Sequence, residues 1–253
     1  MASDLKDKVV LVTGASTGIG AAVAKGFAAN GARVAVHYGS SSDDAQAVNS
    51  AIRASGGVSD AFQADVRSTE EVHGLVAKVV AEFGALDVLV CNAGGLVARR
   101  ALPELTPEFY AEVMDLNVRS VMDCCVAAIP HLVQSQGSVV VTGSLAARMG
   151  GGNGASLYAG AKAAIGNMVR AYAREYGGQG VRFNAVSPGT ISTLFHERHT
   201  PKDVLDGIQA SIPMKRLGTP EDCVGAYLYL ASSAMSGYVT GQVIEVNGGQ
   251  LMP

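Results

Sequence analysis

Short apolar segments rich in β-branched residues alternate along the chain with segments of helical periodicity. Each apolar segment is too short for a helix and is bounded by Gly, Asn or Ser, which is typical of a buried strand. The predicted strands are Val9–Val12, Arg33–Val36, Leu86–Val90, Ser138–Val141, Phe183–Val186 and Val243–Val246, with Val58–Ala64 as a weaker seventh. The predicted helices are Gly20–Ala29, Asp44–Ala54, Thr69–Phe83, Pro107–His131, Ser156–Tyr176 and Pro220–Leu230.

This alternation predicts a mainly parallel seven-stranded sheet with helices on both faces, because right-handed βαβ crossovers return the chain to the same sheet. Near-continuous apolar strands also indicate burial on both faces. The 253 residues contain no linker or repeat, and 48% are hydrophobic against 16% charged. We therefore expect residues 1–253 to form a single α/β domain of the doubly wound, Rossmann type.

Charge and cysteine content narrow the range of partners. The 19 basic and 22 acidic residues are spread along the chain, so binding to nucleic acid or to an anionic membrane is not expected. Cys91, Cys124, Cys125 and Cys223 lack the spacing of a metal site and are expected to be free thiols. The N-terminus lacks a signal pattern, and no apolar run approaches the ~18 residues of a membrane span. A soluble, cytoplasmic protein without a metal is expected.

The first predicted strand leads directly into a glycine-rich turn, Thr13–Gly20, after which a helix begins. A missing Cβ lets the backbone approach a pyrophosphate, and the helix N-terminus offers free N–H groups. The spacing is G-x-x-x-G-x-G rather than G-x-G-x-x-G, so the turn alone is also compatible with an ordinary strand–helix connection. The candidate dinucleotide-binding residues here are Gly14, Ser16, Thr17, Gly18, Ile19 and Gly20.

Two further turns lie at the carboxyl ends of predicted strands, where ligands bind in open α/β sheets. Asp65 and Val66 follow the third strand, and Asn92, Ala93 and Gly94 follow the fourth. The small residues among them would admit the adenine ribose and the cofactor backbone. Ordinary turn chemistry is the alternative for each turn taken alone.

A hydroxyl, a phenol and an amine follow the fifth predicted strand. Ser144 lies at the strand end, and Tyr158 and Lys162 share one face of the next helix at positions i and i+4. A tyrosine pKa of about 10 is too high for proton exchange near neutrality, but an adjacent ammonium favours the phenolate and lowers that pKa. The group suggests a proton donor tuned toward the working pH, although Y-x-x-x-K alone also occurs on exposed helices.

With these residues in this order, the chain resembles the classical short-chain dehydrogenase/reductases over essentially its whole length. The matching motifs are Thr13–Gly20, Asn92–Gly94, Asn117, Ser144, Tyr158 with Lys162, Asn184 and Pro188–Gly189. The resemblance implies a nicotinamide cofactor, a homotetramer, and hydride exchange between an alcohol and a ketone or aldehyde.

The resemblance also implies roles for individual residues. Tyr158 would exchange a proton with the substrate oxygen, and Ser144 would hydrogen-bond that oxygen as charge develops. Lys162 would hold the nicotinamide ribose beside Tyr158 and lower the tyrosine pKa. Asn117 would hold a water that links Lys162 to solvent. The turn expected to hold the carboxamide side of the nicotinamide comprises Pro188, Gly189, Ile191 and Thr193.

The substrate is less constrained. A 3-oxoacyl-acyl carrier protein reductase is one alternative, but the positions where such enzymes carry basic docking residues hold Asp123 and Gln179, and an acid would repel an acidic carrier. We therefore favour a small polar substrate, such as a sugar, a polyol or a keto compound. A non-catalytic dinucleotide sensor is the alternative of another class, and it is less favoured because both the tyrosine and the lysine are present.

Two segments are expected to shape the substrate entrance. Gly150–Gly154 makes the connection before Tyr158 about one residue longer than the family pattern. Thr190–Thr219 is polar, breaks the strand–helix alternation and suggests one short helix near Lys202–Ala210. Long insertions of this kind are usually lids or binding loops, and the run His196–His199 within it favours a polar substrate.

The tip of the second strand bears on the choice of cofactor. Tyr38 stands where an acid would bind the ribose hydroxyls of NAD. Without that acid a 2′-phosphate is not repelled, and Ser40, Ser41 and the hydroxyls of the glycine-rich turn would donate to it. Asp43 and Asp44 are interpreted as the first turn of a helix. The sequence thus predicts NADP(H) in preference to NAD(H), with small discrimination because no Arg or Lys occupies positions 38–42.

Overall fold

The computed structural model describes residues 3–252 and contains one sheet of seven parallel strands. The strands are β1 (Val9–Val12), β2 (Arg33–Tyr38), β3 (Val58–Gln63), β4 (Val88–Cys91), β5 (Ser138–Thr142), β6 (Arg182–Pro188) and β7 (Val243–Val246). Their order across the sheet is β3-β2-β1-β4-β5-β6-β7. This confirms the predicted doubly wound, Rossmann-type α/β fold, including the weakly patterned strand β3.

The strand ends follow backbone pairing rather than side-chain polarity. β2 continues to Tyr38 because that residue pairs with Gln63 of β3. β6 continues to Pro188, which pairs with Val246 of β7. β4 begins only at Val88, later than predicted. These differences arise because the apolar pattern reports burial, whereas the length of a strand depends on its neighbours in the sheet.

Helices cover both faces of the sheet. Their bounds are α1 (Gly18–Ala29), α2 (Ser42–Ala54), α3 (Thr69–Phe83), α4 (Pro107–Met114), α5 (Ser120–Ser135), α6 (Ala146–Met149), α7 (Ser156–Tyr176), α8 (Leu194–His199), α9 (Lys202–Ser211), α10 (Pro220–Ala231) and α11 (Ser233–Ser236). Short 3₁₀ turns lie at Ser3–Leu5, Leu102–Glu104 and Gly177–Gln179.

Two apolar cores sandwich the sheet. Successive strand residues point to opposite faces, so Val9 and Leu11 join the core beneath α3, α5 and α7, whereas Val10 and Val12 join the core beneath α1, α2 and α10. Because both faces are covered, the central strands are apolar throughout, which explains why their pattern lacks alternation. The cores fix the sheet, and its carboxyl edge carries the turns identified in the sequence.

The predicted helix Pro107–His131 is wrong in one respect, because the structure divides it. A π-helical turn, Asp115–Arg119, separates α4 from α5, which runs on to Ser135. The side chain of Asn117 fills this turn and donates to the carbonyl oxygen of Val113 at 2.9 Å. Single π turns are frequent at functional sites, and the sequence carried no periodicity signal for this one.

By length and composition alone, the stretch Pro107–Ser135 would qualify as a membrane-crossing helix among the residues described. Its most apolar part is 44% buried inside the fold, and α5 packs against α3 and the sheet. Packing in the core therefore explains part of the apolar character of this stretch.

The segment Thr190–Thr219, here called the lid segment, contains two helices instead of one. α9 matches the helix predicted near Lys202–Ala210, but α8 was not foreseen. α8 has only six residues, too few for a helical period to be recognised. It carries Phe195, whose ring centroid lies 5.8 Å from that of Tyr158.

Candidate active site

A cavity of about 1150 Å³ opens at the carboxyl edge of the sheet. It lies where β1 separates β2 from β4, the point at which the strand order reverses direction. Ligands of doubly wound folds bind at this switch point. The lid segment, the glycine-rich turn and the start of α7 all contribute to its wall.

The glycine-rich turn is held from beneath by a buried histidine. The backbone N–H of Gly14 donates to Nδ1 of His37 at 3.0 Å, and Nε2 of His37 lies 3.0 Å from the carbonyl oxygen of Ala64. Since Nδ1 accepts, Nε2 carries the proton and the ring is neutral. Burial lowers the pKa of His37, which favours this neutral form. The histidine therefore ties the turn to the end of β3.

A second set of bonds ties the turn to the end of β4. The hydroxyl of Thr13 accepts from the N–H groups of Asn92 and Ala93, both at 3.0 Å. The amide of Asn92 donates to the carbonyl oxygen of Gly14 at 3.0 Å. Gly14 has a φ of +62°, and a Cβ there would lie 3.0 Å from Cα of Ala93. A Cβ on Gly20 would collide with the Gly14 carbonyl, so these glycines are fixed by packing.

The turn fits a dinucleotide. α1 begins at Gly18, and its N-cap Thr17 makes no side-chain capping bond within the chain described, so first-turn N–H groups remain for an anion. Gly14, Thr17 and Gly18 line the cavity. Free N–H groups and the positive end of the helix dipole suit a pyrophosphate.

Asp65, at the end of β3, is bound in a bidentate pair with Arg67, with contacts of 2.8 and 3.0 Å. The Arg67 guanidinium is the main reason that the pKa of Asp65 is lowered. The carboxylate is therefore ionised and oriented at the cavity wall. The backbone N–H of Asp65 donates to Oε2 of Glu71 at 2.8 Å, so two acidic side chains lie at this end of the cavity.

Lys162 is buried beneath the cavity, with 4% of the residue exposed. Its ammonium donates to the carbonyl oxygen of Thr142 at 2.8 Å and lies 5.8 Å from the ring centroid of Tyr158. Burial lowers the pKa of Lys162 to about 8, against a smaller opposing effect from Cys91. The amine is thus close to its titration point near neutral pH.

Tyr158 lines the same wall beside Ser144. Burial raises the pKa of Tyr158, and the Ser144 hydroxyl opposes that rise. In the chain alone the Lys162 ammonium is directed to the Thr142 carbonyl oxygen, and its effect on the pKa of Tyr158 stays a prediction. What the fold supplies is a phenol and a hydroxyl that face one cavity, above a buried amine.

Asn117 is fully buried in the π turn. Its Oδ1 accepts from the N–H of Gly95 at 3.0 Å, and its Nδ2 donates to the carbonyl oxygen of Gly95 at 2.9 Å. A Cβ on Gly94 would lie 2.8 Å from that Oδ1 and 3.2 Å from the Lys162 ammonium. The side chain thus fixes the backbone after β4.

Comparison with known proteins agrees with this geometry. A family model described as enoyl-(acyl carrier protein) reductase matches residues 14–250. A 3-oxoacyl-[acyl-carrier-protein] reductase of Synechocystis is 36% identical, with 98% of each chain covered. A solved short-chain dehydrogenase/reductase of Serratia marcescens is 33% identical, with a TM-score of 0.91 over 98% of this chain and 99% of that one.

The chain belongs to the short-chain dehydrogenase/reductase family. It is an NAD(P)-dependent oxidoreductase. It is also similar to the NADH-dependent reductase A1-R′, described as responsible for alginate metabolism, with 42% identity and a TM-score of 0.92 over 99% of this chain and 100% of that one. A structure of that reductase complexed with NAD is 41% identical, with a TM-score of 0.90 over 100% of both chains.

The fold of this dehydrogenase/reductase brings most of the predicted site residues to one cavity. Those that line it are Gly14, Ser16, Thr17, Gly18, Ile19, Asp65, Val66, Asn92, Ala93, Gly94, Ser144, Tyr158, Lys162, Pro188, Gly189, Ile191 and Thr193. Gly20, Tyr38 and Asn117 do not. Gly20 and Asn117 are buried behind the residues that line the cavity. The Tyr38 side chain packs against the core under α1 and α2, because alternate residues of β2 face opposite sides of the sheet.

Sequence reasoning missed several residues of the site. His37 interrupts an apolar strand with a polar side chain, which was a usable signal. Arg99 stands in a loop after β4 and lines the cavity, and nothing local marks its orientation. The argument from Asp123 was wrong, because that carboxylate is buried and accepts from the Thr69 hydroxyl at 2.7 Å, so it presents no charge to a partner.

Proposed function

We propose that the enzyme interconverts an alcohol and a ketone or aldehyde on a small polar substrate, with Tyr158 as the acid/base. The observation that carries this proposal is the meeting of Tyr158 and Ser144 on one wall of the cavity, with Lys162 buried behind them. When bound, the nicotinamide supplies hydride transfer. The chain supplies the proton, the orientation and the electrostatics.

Each side chain has a distinct role in this proposal. Tyr158 gives its phenolic proton to the carbonyl oxygen during reduction and recovers it during oxidation. Ser144 donates to the same oxygen as negative charge develops. Lys162 holds the nicotinamide ribose, and its ammonium favours the phenolate once it turns toward Tyr158. Asn117 positions the backbone beneath them.

The cofactor would lie along the edge of the sheet. Gly14–Gly18 and the N-terminus of α1 would hold the pyrophosphate, and Asp65 with Val66 would border the adenine. The turn after β6 would hold the carboxamide side, since it lines the same cavity as Tyr158. Asn92, Ala93 and Gly94 would lie beneath the adjoining ribose.

A preference for NADP(H) over NAD(H) remains part of this proposal, with a small margin. No acid stands at Tyr38, and Ser40 and Ser41 line the cavity as neutral donors. Asp43 and Asp44, in the first turn of α2, act against a 2′-phosphate, and the similar A1-R′ is named as NADH-dependent. We expect kcat/KM for NADPH to exceed that for NADH by less than about tenfold, because neutral donors are roughly half as strong as charge-assisted ones. A tenfold preference for NADH would contradict this.

Arg99, Asn153 and His196 line the cavity and favour a sugar, a polyol or a keto compound. The lid segment also contributes apolar side chains to the lining, Phe195 and Val204 among them. Relatives named 3-oxoacyl-[acyl-carrier-protein] reductase keep the acyl carrier thioester as a second candidate. With Asp123 buried, the remaining observation against a carrier is that Gln179 is exposed and neutral. Cytoplasmic location, one domain and a homotetramer complete the proposal.

The test is a cofactor-linked assay with sugars, polyols, β-keto esters and an acetoacetyl thioester. Tyr158→Phe removes only the dissociable proton, so turnover should fall by about 10²–10⁴-fold while cofactor binding is kept. Tyr110→Phe is the matched control, because Tyr110 is 52% exposed on α4 and does not line the cavity. Activity of Tyr158→Phe within threefold of the parent would refute the assignment, and a thioester preferred over every polar compound would favour the second candidate.

A further inference from the structure

Arg99 is an exposed guanidinium at the substrate end of the cavity. Its Nε donates to the carbonyl oxygen of His199 at 3.0 Å, and its Nη1 donates to the carbonyl oxygen of Asn153 at 2.8 Å. Both acceptors are neutral, and within residues 3–252 no carboxylate pairs with this arginine. An arginine held by two carbonyls keeps its full positive charge and still has Nη2 to offer.

The backbone is shaped to hold Arg99 in this place. Val97, two residues earlier, has a φ of +65°, a conformation that costs a β-branched residue of the order of 1–3 kcal/mol. Opposite Arg99, a Cβ on Gly154 would lie 3.0 Å from the arginine Cβ, and a Cβ on Gly152 would lie 3.3 Å from the arginine Nη1. Gly152 and Gly154, in the glycine-rich segment before α7, therefore leave the space that the arginine occupies.

The charges that line the cavity are segregated. The carboxylates of Asp65 and Glu71 lie at the adenine end around Arg67, as does Glu112, whose charge acts on Arg67. At the substrate end, His196 lines the cavity with Arg99. Burial lowers the pKa of His196, and the positive charges of Arg99 and His199 add to that effect. His196 is therefore held uncharged, and Arg99 carries the positive charge at the substrate end. Among the described residues, no acid lines this end of the cavity.

We propose that Arg99 binds a carboxylate of the substrate, so that the enzyme acts on hydroxy or keto carboxylic acids, acid sugars among them, rather than on neutral sugars. This inference rests on the proposed function and specifies its substrate class. A planar guanidinium matches a carboxylate in shape and charge. Bonds from Arg99 to both the lid segment and the glycine-rich segment would place such an anion beneath α8, facing Tyr158.

The test compares probes that share a skeleton and differ in charge. D-Glucuronate and D-glucuronamide each carry a reducible aldehyde, and D-gluconate and D-glucitol serve as inhibitors of whichever carbonyl compound the enzyme reduces. The parent enzyme should prefer each acid over its neutral partner at least tenfold. Arg99→Met should weaken the acids about 10- to 100-fold, the range of a hydrogen bond to a charged group, and leave the neutral partners within threefold.

The matched control is Arg100→Met, which removes the same charge one residue away. Arg100 lies over the ring of Phe109, 4.3 Å from its centroid, and does not line the cavity, so its loss should change neither probe by more than threefold. The preference for acids should also fall as salt rises, because the guanidinium is exposed.

Several outcomes would overturn the inference. Equal losses for acid and neutral probes in Arg99→Met would assign the arginine to the shape of the lid segment alone. If the parent enzyme uses neutral probes as efficiently as acids, the proposed function would stand, but the inference that the substrate carries a carboxylate would be refuted. A stronger preference for D-glucose 6-phosphate than for D-glucuronate would assign a phosphate instead. Failure to reduce any carbonyl compound would refute the proposed function itself.

Discussion

Replacing Lys162 with methionine should stabilise the cofactor-free protein near neutral pH while it abolishes turnover. Lys162 is 4% exposed as a residue, and burial lowers the pKa of its amine from the ordinary 10.5 to about 8. At about 1.4 kcal/mol for each pH unit, that difference makes the charged lysine cost the folded state roughly 3 kcal/mol. Methionine keeps the apolar stem and removes this cost. The Thr142 carbonyl then loses its donor at 2.8 Å, which offsets about 1–2 kcal/mol.

The change of this stability difference with pH tests the argument better than its value at a single pH. Between pH 8 and 10.5 the unfolded chain holds a proton on Lys162 that the folded chain has released, so the stability of the parent rises with pH in that window. Relative to Lys162→Met, the free energy of unfolding of the parent should therefore increase by about 3 kcal/mol from pH 8 to 10.5. Groups common to both proteins cancel in this difference.

Urea unfolding at equal protein concentration, from pH 7 to 10.5, measures the effect. Lys25→Met is the control, because Lys25 is exposed on α1 and its loss should shift stability by less than about 0.5 kcal/mol at every pH. If the curves of the parent and Lys162→Met run parallel within that margin, the lysine titrates normally and the argument from burial fails.

Four further outcomes follow from the structure. Gly20→Ala should lower the melting temperature and the affinity for cofactor, because the added Cβ collides with a backbone carbonyl, whereas Gly74→Ala, with no atom within 4 Å of the new Cβ, should be neutral or stabilising. His37→Phe should weaken cofactor binding, and unchanged affinity in titration calorimetry would count against a role for the histidine. The parent should lose stability as the pH falls below about 6.5, because the unfolded chain accepts a proton that the buried histidine of lowered pKa resists. This loss should be smaller in His37→Phe. Residues 190–219 should exchange amide hydrogens more slowly with cofactor and substrate than without, and equal rates would argue against a lid. Light scattering at micromolar concentration should give the mass of a tetramer, with the outer faces of α5 and α7 in the contacts, and a monomer would refute this.

The sequence determined the features that depend on local pattern. Alternating apolar and helical segments predicted the order of strands and helices, because a strand buried on both faces is a short apolar run, whereas a helix on the sheet has an apolar period of 3.6 residues. The glycine-rich turn after β1 and the Tyr158/Lys162 pair were readable for the same reason. The residues of each feature lie within a few positions of one another in the sequence. The local backbone geometry alone therefore decides which of them share a face or a turn.

Only the tertiary structure decided features that join distant segments. Burial, rather than the i+4 spacing, sets the pKa of Lys162 and directs its amine to Thr142. Arg99 gains its place from two segments, about 50 and 100 residues further along the chain, whose carbonyls accept from it. Asp123 looks like a surface acid in the sequence and is buried in the fold. A side chain's solvent, charge and partners are properties of the packed molecule, so no local pattern carries them.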